Sequence, residues 1–123
     1  MNILGLSSLE PSPFGHDSTT AIFDEDNFFV ISEERLTRIK HDGGYRSSSI
    51  QLCLNENNST ISDIDSVVVG FGLEKKYMGR QMNEKFCSFG KDSGFRKTSL
   101  ERKNPIFYDH QYIHARTGFA LSG

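Results

Sequence analysis

Thr19-Thr20-Ala21-Ile22-Phe23-Asp24-Glu25-Asp26-Asn27-Phe28-Phe29-Val30-Ile31-Ser32 is the stretch whose reading decides the fold. Residues 19–23 and 28–32 are rich in β-branched and aromatic side chains, which favour the half-buried pleated surface of a strand. Asp24-Glu25-Asp26-Asn27 between them is a strong turn signal, so the stretch predicts a β-hairpin. Working outward, residues 2–6 (Asn-Ile-Leu-Gly-Leu) read as a short apolar strand at the start, with Gly5 able to allow a close approach. Residues 7–15 read as a loop, because Pro11, Pro13, three serines and Gly15 break any periodicity. Beyond the hairpin, residues 33–40 predict a helical turn or an irregular segment, ended by His41-Asp42-Gly43-Gly44. Residues 47–55 predict a helix, capped by one of three serines and carrying Ile50, Leu52, Cys53 and Leu54. Val67-Val68-Val69-Gly70 predicts a buried strand, Ile106-Phe107-Tyr108 a further short one, and residues 110–121 a helix. This order predicts a mixed α/β domain.

The composition agrees with a folded domain. The chain has 123 residues, 36% of them hydrophobic, with ten Phe and four Tyr, which argues against wholesale disorder. The formal net charge of −2 gives no overall pull toward nucleic acid or an anionic membrane. The charge is nevertheless uneven. Residues 1–70 hold four Lys/Arg against eleven Asp/Glu, and residues 71–104 hold nine against four. That second segment has too few regularly spaced apolar anchors for a core helix, and a solvated loop would share its composition. Cys53 and Cys87 lack CxxC spacing, so neither a zinc ribbon nor a disulfide framework is indicated. Cys53, between two leucines, reads as a buried small side chain. No run approaches the length of a membrane span, and the first residues lack a signal peptide's pattern, so a cytoplasmic protein is expected.

Three segments carry groups with chemistry. In His110-Gln111-Tyr112-Ile113-His114, two histidines four apart share one helix face and could ligate one divalent metal, given a third ligand. The motif lacks the Glu of the H-E-x-x-H hydrolase pattern. Gly15-His16-Asp17-Ser18 falls in a loop between two strands, where His16 could act as acid or base. A local Asx-type turn is the plain alternative there. Glu33-Glu34-Arg35-Leu36-Thr37-Arg38-Ile39-Lys40-His41-Asp42 offers Arg and Lys for charge-assisted bonds to anions, though a solvated face would look similar.

Taken together, these segments resemble the amino-terminal part of the carbamoyltransferases that modify nodulation factors and antibiotics. The main domain of that family resembles the tRNA threonylcarbamoyladenosine enzyme. The resemblance starts at residues 2–6 and runs through 15–21 and 33–42. It resumes at Ile64-Asp65 with the 67–69 strand, and again at residues 109–115. It implies a partial actin-like, hexokinase-like (ribonuclease H-like) lobe with a mixed central sheet. It implies that residues 1–123 form an amino-terminal lobe with a variable segment at 71–104. The carboxy-terminal lobe and the domain that forms carbamoyl-adenylate would then lie outside this chain.

The activity implied is O-carbamoyl transfer. Carbamoyl phosphate and ATP would give a carbamoyl-adenylate, whose carbamoyl group passes to a hydroxyl of a sugar or natural product. By the same resemblance His16 and Lys40 line the transfer site, and Asp17, Ser18 and Arg38 contact the nucleotide cofactor. His110 and His114 would bind an iron-like divalent metal, completed by a carboxylate from later in the family's sequence. Gln111 departs from the family, which usually has a second histidine there. The partners implied are a small-molecule hydroxyl acceptor and a complementary lobe or subunit, with self-association a further expectation and neither nucleic acid nor membrane involved. A chain supplying one wall of a cleft is expected to be inactive by itself. The alternative is a non-catalytic remnant that binds a nucleotide or a partner.

Overall fold

The computed structural model describes residues 1–7, 17–43, 47–71, 100, 103, 105–109, 115 and 118–122. They form a five-stranded sheet with helices against it. The strands are β1 (Ile3–Ser7), β2 (Thr19–Phe23), β3 (Phe28–Ser32), β4 (Ser66–Phe71) and β5 (Ile106–Asp109). The helices are α1 (Glu33–Thr37) and α2 (Ser47–Glu56), with a short 3-10 turn at Ile61–Asp63.

The spatial order is β3-β2-β1-β4-β5. β1, β4 and β5 run parallel, while β2 is antiparallel to both β1 and β3. The hairpin expected at 19–32 is present, with Thr19 opposite Ser32 and Phe23 opposite Phe28. Asp24 closes its turn. The Asp24 N–H donates to the Asn27 carbonyl at 3.0 Å, and the Asp24 carboxylate accepts the N–H groups of Asp26 and Asn27 at 2.8 and 2.7 Å. Those bonds to the ionised form hold its carboxyl below the usual Asp range.

Alternation along the strands sorts the sheet into two faces. Leu4, Leu6, Ile22, Val67 and Val69 point to one face, where Ile50, Cys53 and Leu54 of α2 cover them. Ile64 and Leu100 complete this core, each at most 1% exposed. Leu100 lies in the connection from β4 to β5, so that connection returns to the α2 side. This is the side expected of a right-handed crossover that continues in the same direction as the one from β1 to β4. Lys103 fixes the return by donating to the carbonyls of Ser62 and Ile64 at 3.0 and 2.7 Å. The opposite face carries Phe23, Phe28, Val30, Ile106 and Tyr108, all at least 40% exposed.

The strand at 67–70 extends by one residue at each end, and the one at 106–108 reaches Asp109. Residues 33–37 form a true helix, though only five residues long. Of the helix expected over 110–121, Ala115 and residues 118–121 are helical and the rest lies outside the described residues. Most of the 71–104 segment also lies outside them. A Cβ on Gly5 would meet the Ala21 Cβ at 3.7 Å, an ordinary contact, so the described neighbours do not require glycine there.

Candidate functional site

Strand direction gathers the sequence candidates. β1, β4 and β5 all end at one edge of the sheet, β2 begins there, and β3 ends there. Residues 17–18 lead into β2 and residues 33–42 follow β3, so both segments meet on this edge. The end of β5 at Asp109 comes to the same edge. In open α/β sheets, the carboxyl ends of parallel strands are where ligands are held.

Ser18 ties the edge together. It is 4% exposed. Its N–H donates to the Asp42 carbonyl at 2.9 Å, its carbonyl accepts the Glu33 N–H at 2.8 Å, and its hydroxyl reaches the Ser7 carbonyl at 3.4 Å. One residue therefore binds the end of β1, the start of α1 and the turn at 38–42. Ser32, before α1, turns its hydroxyl to Thr19 at 3.1 Å instead of capping the helix.

Glu33 and Glu34, adjacent in sequence, do different work. Glu33 is fully buried, and its carboxylate accepts the Ser48 hydroxyl and, at 3.2 Å, the Ser49 N–H. It thereby caps α2 from a remote position, meeting one first-turn N–H and the positive end of the helix dipole. Ser49 is buried too, and its hydroxyl bonds to that of Thr20 at 2.8 Å. Glu34 faces the other way. Its carboxylate accepts the His41 N–H at 3.1 Å. His41 Nδ1 in turn lies 2.9 Å from an Asp17 carboxylate oxygen, with both side chains about half exposed.

The ligand atoms of Asp17, Glu34 and His41 all lie within 4.8 Å of one another. Two carboxylates and an imidazole are a donor set that divalent transition metals accept. Their mutual hydrogen bonds account for the same geometry without an ion.

Three residues of this edge have left-handed backbones: Asp17 (φ 56°), Arg38 (φ 62°) and His41 (φ 58°). Such angles are uncommon outside glycine. Arg38 ends α1, its N–H donating to the Glu34 carbonyl at 2.9 Å. The side chains of Arg35, Arg38 and Lys40 are exposed at this end of the molecule.

Of the residues expected at the site, Asp17, Ser18, Arg38 and Lys40 thus come to one edge. His16, His110 and His114 lie outside the described residues. Two arrangements are not visible in the sequence: the Asp17–Glu34–His41 cluster and the Glu33 cap on α2. The serines at 47–49 are the one sequence signal near the cap, and by themselves they suggest a cap supplied from within the segment.

Residues 2–92 match the family described as Carbamoyltransferase N-terminus. Among curated proteins, the nodulation protein NolNO of Sinorhizobium fredii is 26% identical over 126 residues, covering 92% of this chain and 18% of that protein. The uncharacterized protein sll1178 of Synechocystis is 35% identical over 69 residues, covering 54% of this chain and 10% of that protein. The chain thus spans less than a fifth of either relative. Among solved structures, YeaZ from Pseudomonas aeruginosa superposes with a TM-score of 0.54 at 12% identity, covering 99% of this chain and 50% of that one. A second structure, described as similar to peptidase YeaZ and from the same organism, gives 0.56 at 12% identity over 99% and 49%. At that identity the likeness concerns the fold alone, a mixed α/β architecture. Among the described residues no helix is long and apolar enough to cross a membrane.

Proposed function

The chain belongs to the carbamoyltransferase family through its amino-terminal domain, and from that membership we propose that it forms one wall of an O-carbamoyl transfer site. The donor is carbamoyl phosphate, activated with ATP as a carbamoyl-adenylate, and the acceptor is a hydroxyl of a sugar or natural product. The observation that carries this reading is the meeting of residues 17–18 and 33–42 on the edge where β1, β4 and β5 end.

In this reading Lys40 and Arg38 offset the negative charge of the nucleotide and of the reacting carbamoyl group. Asp17 and Ser18 shape the nucleotide-facing turn, Ser18 through its backbone and Asp17 through His41. His16, one residue before Asp17, takes the acceptor hydroxyl's proton as it attacks. His110 and His114 would hold a divalent metal, iron in this reading, which when bound would polarise the transferring group. The rest of the cleft comes from a complementary lobe or subunit.

The test supplies the chain with ATP, radiolabelled carbamoyl phosphate and a panel of sugar hydroxyl acceptors. Each mixture is run with and without a polypeptide carrying the family's remaining domains. Transfer is expected only in the complemented mixture, and to fall by about a hundredfold or more in His16→Ala and in Lys40→Ala. Transfer at an unchanged rate in both variants would remove these roles. ATP binding without transfer under any complementation would leave the chain a nucleotide-binding remnant of the family.

A further inference from the structure

We propose that β3 pairs edge to edge with β3 of a second copy of this chain, antiparallel across a two-fold axis, so that two five-stranded sheets become one.

β3 is the last strand of its sheet, and among the described residues nothing hydrogen-bonds to its outer edge. The bonded Asp24–Asn27 pair sets the phase of the hairpin. Counting by twos, Phe29 and Ile31 exchange bonds with β2, and the N–H and C=O groups of Phe28 and Val30 point outward. Exposed edges are usually blunted by charge, proline or a bulge. Phe28-Phe29-Val30-Ile31-Ser32 has no charge and no proline, and its register with β2 is unbroken. Its Phe28 and Val30 side chains are 67% and 49% exposed. The opposite edge strand, β5, is preceded directly by Pro105. Pairing β3 with β5 of another copy would also be heterologous and open-ended, whereas β3 with β3 closes on itself.

Charge supports the antiparallel arrangement. The turn that leads into β3 carries Asp24, Glu25 and Asp26, with Glu25 82% exposed. The segment that leaves β3 carries exposed Arg35, Arg38 and Lys40. A two-fold axis at Val30 brings the start of one β3 to the end of the other. The acidic turn of each copy then faces the basic segment of its partner, twice by symmetry. A parallel pairing would set like charges together. The same arrangement brings the partner's carboxylates to the rim of the edge where Arg38 and Lys40 are displayed.

The test is sedimentation equilibrium of the whole chain across a concentration series. A monomer–dimer equilibrium is expected, weakened by salt because the facing charges are exposed. Val30→Lys sets two ammonium groups opposite each other at the axis and is expected to weaken the dimer by about tenfold or more. Glu25→Lys is expected to weaken it several-fold, and adding Arg35→Glu to restore it, a rescue that mere loss of folding would not give. If Val30→Lys alters the circular dichroism spectrum, the charge exchange decides. A monomer at every concentration overturns the proposal. So does a dimer indifferent to both substitutions, or growth into polymers instead of a closed pair.

Discussion

Glu33→Ala is expected to destabilise the chain by about 3 kcal/mol, which is severe against the roughly 5–15 kcal/mol of a typical domain. The carboxylate is fully buried and accepts from Ser48 and Ser49 at the start of α2. Hydrogen bonds to a charged group contribute about 1.5–3 kcal/mol each, and they are not additive when they share one acceptor. The α2 dipole adds about 0.3–2 kcal/mol. Alanine also leaves the N–H of buried Ser49 without that acceptor. Glu33→Gln keeps the volume and one acceptor and is expected to cost about half as much. The control is Glu34→Ala, one residue away. It loses a bond to a His41 N–H at an exposed position, worth under about 1 kcal/mol. Urea unfolding followed by far-ultraviolet circular dichroism measures all three, with an unchanged denaturant slope as the condition for comparison. If Glu33→Ala costs no more than Glu34→Ala, the remote cap does not exist and the account of this edge fails with it.

Leu100→Ala is expected to cost about 3 kcal/mol in the same assay, since a fully buried leucine is truncated; a loss near zero would detach the β4–β5 connection from the core. Burial pushes the Cys53 thiol from 9.0 up to about 11. Its ionisation therefore favours the unfolded chain, so its contribution is intact below about pH 9 and lost as pH rises toward 11. In native chain at pH 8, a thiolate reagent should leave Cys53 unmodified until urea is added, as peptide mapping would show. Asp63 is held below the usual Asp range by the Thr60 hydroxyl and N–H, at 2.7 and 2.8 Å. The stability it lends is present above the ordinary Asp value and is lost as pH falls through the lowered one, so Asp63→Asn should flatten the acid limb of a stability–pH curve. Arg38→Gly is expected to leave stability unchanged or raise it by up to about 1 kcal/mol, because relief of the left-handed backbone offsets glycine's entropy; a loss of more than about 1 kcal/mol would show that the Arg38 side chain supports the fold.

The hairpin was legible because both of its signals are local. Strand-forming residues at 19–23 and 28–32 and four turn formers between them need no distant partner to be read. The start and end of α2 were legible for the same reason. At α1 the sequence leaves a helical turn and an irregular segment both open, since five residues hold little more than one turn and no apolar period can show in so short a span. Glu33 and Glu34 are identical letters in a polar run. What buries one and leaves the other half-buried is contact with Ser48 and Ser49, 15 or 16 residues along the chain. Leu100 was hidden by its charged neighbourhood, where a lone apolar residue carries no periodicity. The Asp17–His41 pair spans 24 residues, and only the return of the chain at the end of β3 brings the two together. The resemblance named segments 15–21 and 33–42, which meet on one edge, and it said nothing of how they are braced.

That bracing divides the edge into two parts with separate physics. The inner part is buried and hydrogen-bonded: Ser18 joins three segments, and Glu33 holds the start of α2. The outer part displays Arg38 and Lys40 on a turn with left-handed residues at 38 and 41. A left-handed non-glycine residue costs about 1–2 kcal/mol, and it persists only where surrounding contacts determine it. Here those contacts are the Ser18 bond to Asp42, the Glu34 bond to His41 and the Asp17–His41 pair. Asn58, the fourth such residue, follows α2, where a left-handed Asn is an ordinary helix ending. Arg38 ends a helix too, but a glycine would serve that end with less strain. Under the proposed role, the strain at Arg38 would be the cost of presenting a cation on this turn. Changes to the inner part should therefore move stability and the outer turn together. Changes at Arg38 or Lys40 should leave stability nearly untouched and, under the proposed carbamoyl-transfer role, should weaken nucleotide binding instead.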